Sequence, residues 1–232
     1  NNSVLVTITA TPERVTVTFK ENYDQTLTFT ASSANGKSTV VTLNGITVID
    51  KVKPEVDQMV VKRYDRKGAT VGSTDAAYQA VVALRPSKPV TSANYGATKI
   101  YQGQPMPVIY GPDAPLEITF TRDGTYTVLL NDQAGNTTTV PVAIKGIDRT
   151  APELTVTTVE KNHQVKATIT VNENCKVTAG GADYSMAANA PQTVTFSKNG
   201  TFAITATDAA GNESFKMVRV GSIDNDPPSI SF

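Results

Sequence analysis

The sequence predicts an all-β fold assembled from repeated small units, and three observations carry that prediction. Thr, Val, Ala, Asn and Gly dominate, and no stretch has helical periodicity. Apolar residues recur at every second position over short runs punctuated by Gly and Pro. Residues 114–148, APLEITFTRDGTYTVLLNDQAGNTTTVPVAIKGID, return without insertion or deletion at 190–224 as APQTVTFSKNGTFAITATDAAGNESFKMVRVGSID. A repeat of this length is one structural unit used more than once.

The unit divides into strands and turns. In 117–121, Ile118 and Phe120 point one way and Glu117, Thr119 and Thr121 the other, as on a half-buried strand. Arg122-Asp123-Gly124 is a turn, with glycine free to take a positive φ. Tyr126, Val128 and Leu130 mark the next strand, matched by Phe202, Ile204 and Ala206. Asp132-Gln133-Ala134-Gly135-Asn136 reads as a hairpin turn: Asp bonds the main chain two residues on, and Gly supplies the left-handed position. Val140, Val142 and Ile144 mark a last strand, matched in part by Val218 and Val220. The unit therefore reads as three successive antiparallel strands.

The string D-G-T-Y, then D-x-A-G-N, closing in I-D-x-x-x-P, resembles the bacterial immunoglobulin-like (Big-type) repeats of surface and secreted proteins. The resemblance covers residues 51–224 well and 1–50 loosely. It implies tandem immunoglobulin-like β-sandwiches arranged as an elongated rod, with the quoted strands as E, F and G. It implies no biochemical activity, because one fold hosts many functions. Two departures from antibody domains stand out. Val128 and Ile204 replace the inter-sheet cysteine, so the core must hold by packing. Tyr126 has a hydroxyl to bond backbone and Phe202 has none, so the aromatic body is the shared requirement.

The expected organisation is a short or truncated domain over 1–50, a long one over 51–148, a compact one over 149–224, and the start of another at 225–232. Residues 1–50 hold four strand-like runs, at 4–10, 14–20, 26–31 and 38–49, with an Asn35-Gly36 turn. A sandwich of this kind takes about seven strands, so the first is expected to lack some. The junctions IDKVKP, IDRTAP and IDNDPP place proline just past a closing strand, which limits the angles between neighbours. The array is expected to continue beyond both ends. In the compact copy, residues 153–159, 165–171 and 175–179 read as strands A, B and C.

Charge is balanced, with 21 basic and 21 acidic residues, which disfavours a nucleic-acid partner. No apolar run has the length of a membrane span, so no direct membrane insertion is expected. Cys175 is the only cysteine and reads as a small buried hydrophobe on a strand. The only histidine, His163, sits in the polar turn EKNHQ with no triad or zinc signature around it. No Walker motif or HExxH occurs, and the chain is read as not an enzyme. A stapling Lys–Asn isopeptide bond is not expected, because Lys166 lies on the polar face of its strand. The N-x-[ST] triplets at Asn136, Asn199 and Asn212 are explained by turn chemistry.

Two sets of candidate site residues remain. Asp50, Asp148, Asp224 and Asp226 lie at the junctions, where gathered carboxylates suit calcium; otherwise no cofactor is expected. Tyr95, Tyr101 and Tyr110 lie in a Tyr- and Pro-rich segment, 95–115, that offers a ligand-binding surface. The competing reading is that these tyrosines cover the core edge. Three functions stay open. One is a stalk, spacer or adhesion segment of an extracellular protein of a bacterium, Gram-positive by the resemblance, whose partners are neighbouring domains of the same chain. Another is an adhesin module that binds a host or cell-wall glycan or protein through 95–115; the lack of Trp counts against a sugar platform. The last is an accessory module of a secreted hydrolase or surface-layer protein.

Overall fold

The computed structural model describes residues 6–10, 14–23, 25–161, 163–224 and 229, and all regular structure among them is strand and turn. The first copy contains β1 (Val6–Ala10), β2 (Val15–Phe19), β3 (Leu27–Ser32) and β4 (Ser38–Leu43). They form two separate antiparallel pairs, β1 with β2 and β3 with β4. Gly36 takes φ +80° in the turn between β3 and β4. None of the described side chains before Pro54 is buried, and Val40 and Val41 stand open to solvent.

The second copy contains β5 (Val56–Tyr64), β6 (Thr70–Val71), β7 (Gln79–Pro86), β8 (Thr91–Ser92), β9 (Thr98–Tyr101), β10 (Gln104–Pro107), β11 (Leu116–Phe120), β12 (Gly124–Asn131) and β13 (Thr137–Ile144). One sheet has the order β11-β7-β5-β6, another β13-β12-β8, and β9 with β10 forms a hairpin apart. The period-two pattern puts Ala80, Val82 and Leu84 of β7, Ile118 and Phe120 of β11, Val128 and Leu130 of β12, and Val142 and Ile144 of β13 into one core.

The third copy contains β14 (Leu154–Lys161), β15 (Gln164–Val171), β16 (Cys175–Ala179), β17 (Ala182–Met186), β18 (Gln192–Phe196), β19 (Gly200–Thr207) and β20 (Glu213–Val220). Its sheets run β14-β15-β18 and β17-β16-β19-β20. Ala167, Ile169, Val177, Phe196, Ile204 and Val218 belong to a core of its own. Burying each large apolar side chain contributes about 1.5–3 kcal/mol before chain entropy is set against it. With Cys175 inside that core and no other cysteine in the chain, packing rather than a disulfide holds it.

The repeat's first strand does not pair with its second, contrary to the sequence reading. β11 pairs with β7, and β12 pairs with β13. Likewise β18 pairs with β15, and β19 with β20. The residues between β11 and β12 carry the chain from one sheet to the other instead of closing a hairpin. The aromatic that follows marks the crossing. Tyr126 packs against Phe120 with ring centroids 4.4 Å apart, and Phe202 against Phe196 at 4.5 Å. Gly124 does not take the left-handed conformation expected of it. It makes room instead, because a Cβ there would stand 3.3 Å from the Tyr126 ring. The Tyr126 hydroxyl donates to the Arg122 carbonyl at 2.9 Å, tying the ring to the crossing itself.

The Asp or Asn of the same turn has a second task. Asp123 accepts from the backbone N–H groups of Gly146 and Ile147 at 2.9 and 2.7 Å. Asn199 accepts from the Ile223 N–H at 3.0 Å and donates to its carbonyl at 2.8 Å. Asn22 accepts from the Ile49 N–H at 2.8 Å. The chain leaving the last strand of each copy is thus held by the turn that precedes the middle strand of the unit.

Candidate functional site

The D-x-A-G-N turns build the joints between copies. In the first, Asp132 Oδ1 accepts from the Asn136 backbone N–H at 2.8 Å, and Gly135 takes φ +89°. In the second, Asp208 Oδ1 accepts from the Asn212 N–H at 2.8 Å, and Gly211 takes φ +80°. The turn leaves the Asn side chain facing the preceding copy. Asn136 Nδ2 donates to the carbonyl of Asp50 at 3.0 Å, and Asn212 Nδ2 to that of Asp148 at 3.2 Å. The closing Asp folds on itself: Asp50 Oδ1 accepts from Val52 N–H at 2.9 Å, Asp148 Oδ1 from Thr150 N–H at 3.0 Å.

Around this shared frame the two joints differ in the charge of one side chain. Ser87 and Asn172 occupy equivalent places, since each exchanges hydrogen bonds with the residue that opens its copy, Glu55 or Glu153. The next residue is Lys88 in one and Glu173 in the other. Lys88 Nζ sits 2.8 Å from Asp50 Oδ2 and 2.6 Å from Asp132 Oδ2. The Asp132 side chain is 3% exposed, and the Lys88 ammonium, followed by the Asn136 amide, pulls its pKa down to about 2. Lys88 likewise holds Asp50 below the ordinary carboxylate value, and both acids raise the Lys88 pKa.

At the second joint, Asp148, Glu173 and Asp208 each place a carboxylate oxygen within 4.8 Å of the others. Asp208 is 8% exposed. Burial, then repulsion from Asp148 and Asp208, pushes the Glu173 carboxyl up. Further contacts brace this joint. Arg66 N–H donates to the Ala210 carbonyl at 2.8 Å, Lys67 pairs with Glu213 at 2.8 Å, and the Arg149 guanidinium stacks 4.0 Å over the Tyr78 ring.

The predicted residues distribute as follows. Asp50 lies in the lysine-bridged joint and Asp148 in the acidic one. Asp224 ends the described part of the last copy, and Asp226 lies outside the described residues. The three tyrosines do not converge. Tyr95 packs edge-on to Phe120 at 5.9 Å and Tyr110 borders the same core, its hydroxyl accepting from Ala97 N–H at 2.8 Å. Tyr101 alone is open, 59% exposed on the β9–β10 hairpin beside Ile100 and Met106. A depression of about 550 Å³ lies over the outer face of β5, β7 and β11, lined by Lys62, Tyr64, Arg85 and Glu117 among others. His163 is exposed in the turn between β14 and β15. Sequence reasoning missed Lys88, Glu173, Asp208 and the reach of Asn136 and Asn212. The signal present was the joint recurrence of closing Ile-Asp with D-x-A-G-N. No protein-family model and no curated protein matches the chain.

Proposed function

We propose that the chain is a non-catalytic run of immunoglobulin-like β-sandwiches set end to end, a stalk, spacer or adhesion segment of a bacterial extracellular protein. The domains are those read from the sequence, at 1–50, 51–148 and 149–224. The observation that carries this reading is the repeated grip at the joints, where Asn136 holds the Asp50 carbonyl and Asn212 that of Asp148. A fixed link between units with separate cores is what a spacer requires. Small-angle scattering of the whole chain tests it. A compact globule of 232 residues has a radius of gyration of about 17 Å. The spacer reading expects a value well above that, with an elongated distance distribution. A value near 17 Å would overturn it.

A second reading is favoured by one feature, the exposure of Tyr101 and Met106 on one face of the β9–β10 hairpin, with Ile100 exposed on the other and Ile109 just after it. Exposed apolar side chains gathered on one element mark a candidate contact surface for other molecules. Under that reading 95–115 engages a glycan or protein. Binding in a glycan or cell-wall screen that Tyr101→Ala removes would favour the adhesin module over the plain spacer.

A further inference from the structure

We propose that the open edge of β20 is a self-pairing surface, on which a second copy of the chain docks its own β20 antiparallel about a two-fold axis at Lys216. β20 is the edge strand of its sheet. In the turn before it, the Asp208 N–H donates to the Asn212 carbonyl at 3.1 Å. Hydrogen-bonded pairs then alternate along the ladder, so Ser214, Lys216 and Val218 bond to β19. The main-chain groups of Glu213, Phe215, Met217 and Arg219 point the other way, to the open edge. Their side chains share the outer face of the sheet, opposite the buried Val218 and Val220. Phe215 is 69% exposed and Met217 56%.

The repeat supplies a comparison within the chain. Thr139 and Pro141 of the preceding copy stand where Phe215 and Met217 stand here, on β13, likewise an edge strand. Pro141 has no N–H at a position where the open edge would need one, and proline on an edge strand blocks pairing. In β20 Met217 restores that donor, and Phe215 in place of threonine adds an exposed ring.

The order of side chains along that edge selects a second copy as the occupant. The exposed face runs Glu213, Phe215, Met217, Arg219: acid, apolar, apolar, base. A strand laid antiparallel about Lys216 sets Phe215 against Met217 of the second copy and Glu213 against Arg219 of the second copy, and the two-fold axis makes each pair twice. Both pairings join edge-facing residues to edge-facing residues, so the open main-chain groups meet as hydrogen-bonded pairs. Arg219 has no ion or hydrogen-bond partner among the described residues, and Glu213 holds Lys67 through Oε1, which leaves Oε2. Against these contacts stands one like-charge pair, Lys216 facing Lys216 across the axis. Single cross-strand pairs are of similar strength, so the favourable ones outweigh it. A two-fold contact of this kind uses up both edges and closes at a dimer.

The pairing is independent of the spacer reading, which concerns joints within one chain. Sedimentation equilibrium of the whole chain tests it, with folding checked by circular dichroism. The wild type should dimerise reversibly; a monomer at every concentration up to about 1 mM would overturn the surface. Glu213→Arg or Arg219→Glu alone sets like charges opposite each other and should weaken the dimer at least about tenfold, or about 1.4 kcal/mol. The two substitutions together should restore it. Unchanged dimerisation by both single variants, or no recovery in the folded double variant, would overturn the register. Met217→Pro, which gives β20 the proline of β13, should be a folded monomer, and a folded dimer would overturn pairing through the edge. Lys216→Thr should tighten the dimer; an unchanged Kd would overturn the place of Lys216 on the axis.

Discussion

Gly124 lies against the ring of Tyr126, and a Cβ added to it would stand 3.3 Å from Cε2 and Cζ. The Gly-Thr-aromatic motif is therefore a packing device: the missing side chain lets the ring fold back over the crossing between sheets. Gly124→Ala should displace the ring, loosen its bond to the Arg122 carbonyl and cost about 1–3 kcal/mol, the usual penalty of overpacking. Urea denaturation checks this. An unchanged midpoint would show that the ring moves freely.

Two turn glycines allow a controlled comparison. Gly135 has φ +89° with open space where a Cβ would go. Gly211 has φ +80°, and a Cβ there would meet the Arg66 backbone N at 3.2 Å. Both Ala variants incur the left-handed penalty of about 1–2 kcal/mol. Gly211→Ala should lose about 1 kcal/mol more, because it also pushes the 65–68 turn away from the joint. Equal losses in thermal melts would mean that this contact is dispensable.

Lys88 sets the titration of Asp132. The carboxyl has a folded pKa of about 2 against an ordinary 3.8. A depressed acid adds stability that is complete above the ordinary value and is lost as pH falls through the folded one. The first joint should accordingly keep its ion pair until pH drops from about 4 toward 2. Lys88→Met should raise the Asp132 pKa, though not to the free value, since Asn136 still donates to it. Carboxyl-carbon NMR titration reads this directly; an unmoved Asp132 would refute the role of Lys88.

Cys175 opens β16 at 9% exposure, and burial is the main cause that pushes its thiol pKa up. Disulfide reagents should therefore modify it slowly in the folded chain, with a rate set by opening of the core, and rapidly in denaturant. Rapid modification of native protein would show that this strand end opens easily.

Much of the fold was legible because burial imposes a period of two. The run from Ile118 to Phe120, the run from Val128 to Leu130 and the turn at Gly135 all stand where the pattern puts them. Alternation names the buried face of a strand but not its partner, and for that reason β11 and β12 read as neighbours although they lie in different sheets. The joints were less legible. Asp132 and Asp208 read as turn formers, and they are. Nothing local announces that Lys88 will reach Asp50, or that Glu173 will meet Asp148, since both contacts join residues far apart in the chain. The tyrosines show the same limit: composition grouped Tyr95, Tyr101 and Tyr110, while packing sends two to the core edge and one to the hairpin.

At both joints the asparagine takes hold of a main-chain oxygen. Every amino acid possesses that atom, so the fastening does not care which side chain the preceding unit presents there. A newly duplicated gene segment would encode a module able to couple at once to whatever already stood before it. Lengthening such a protein would need no matching innovation elsewhere, and individual couplings would remain free to diverge in character afterwards.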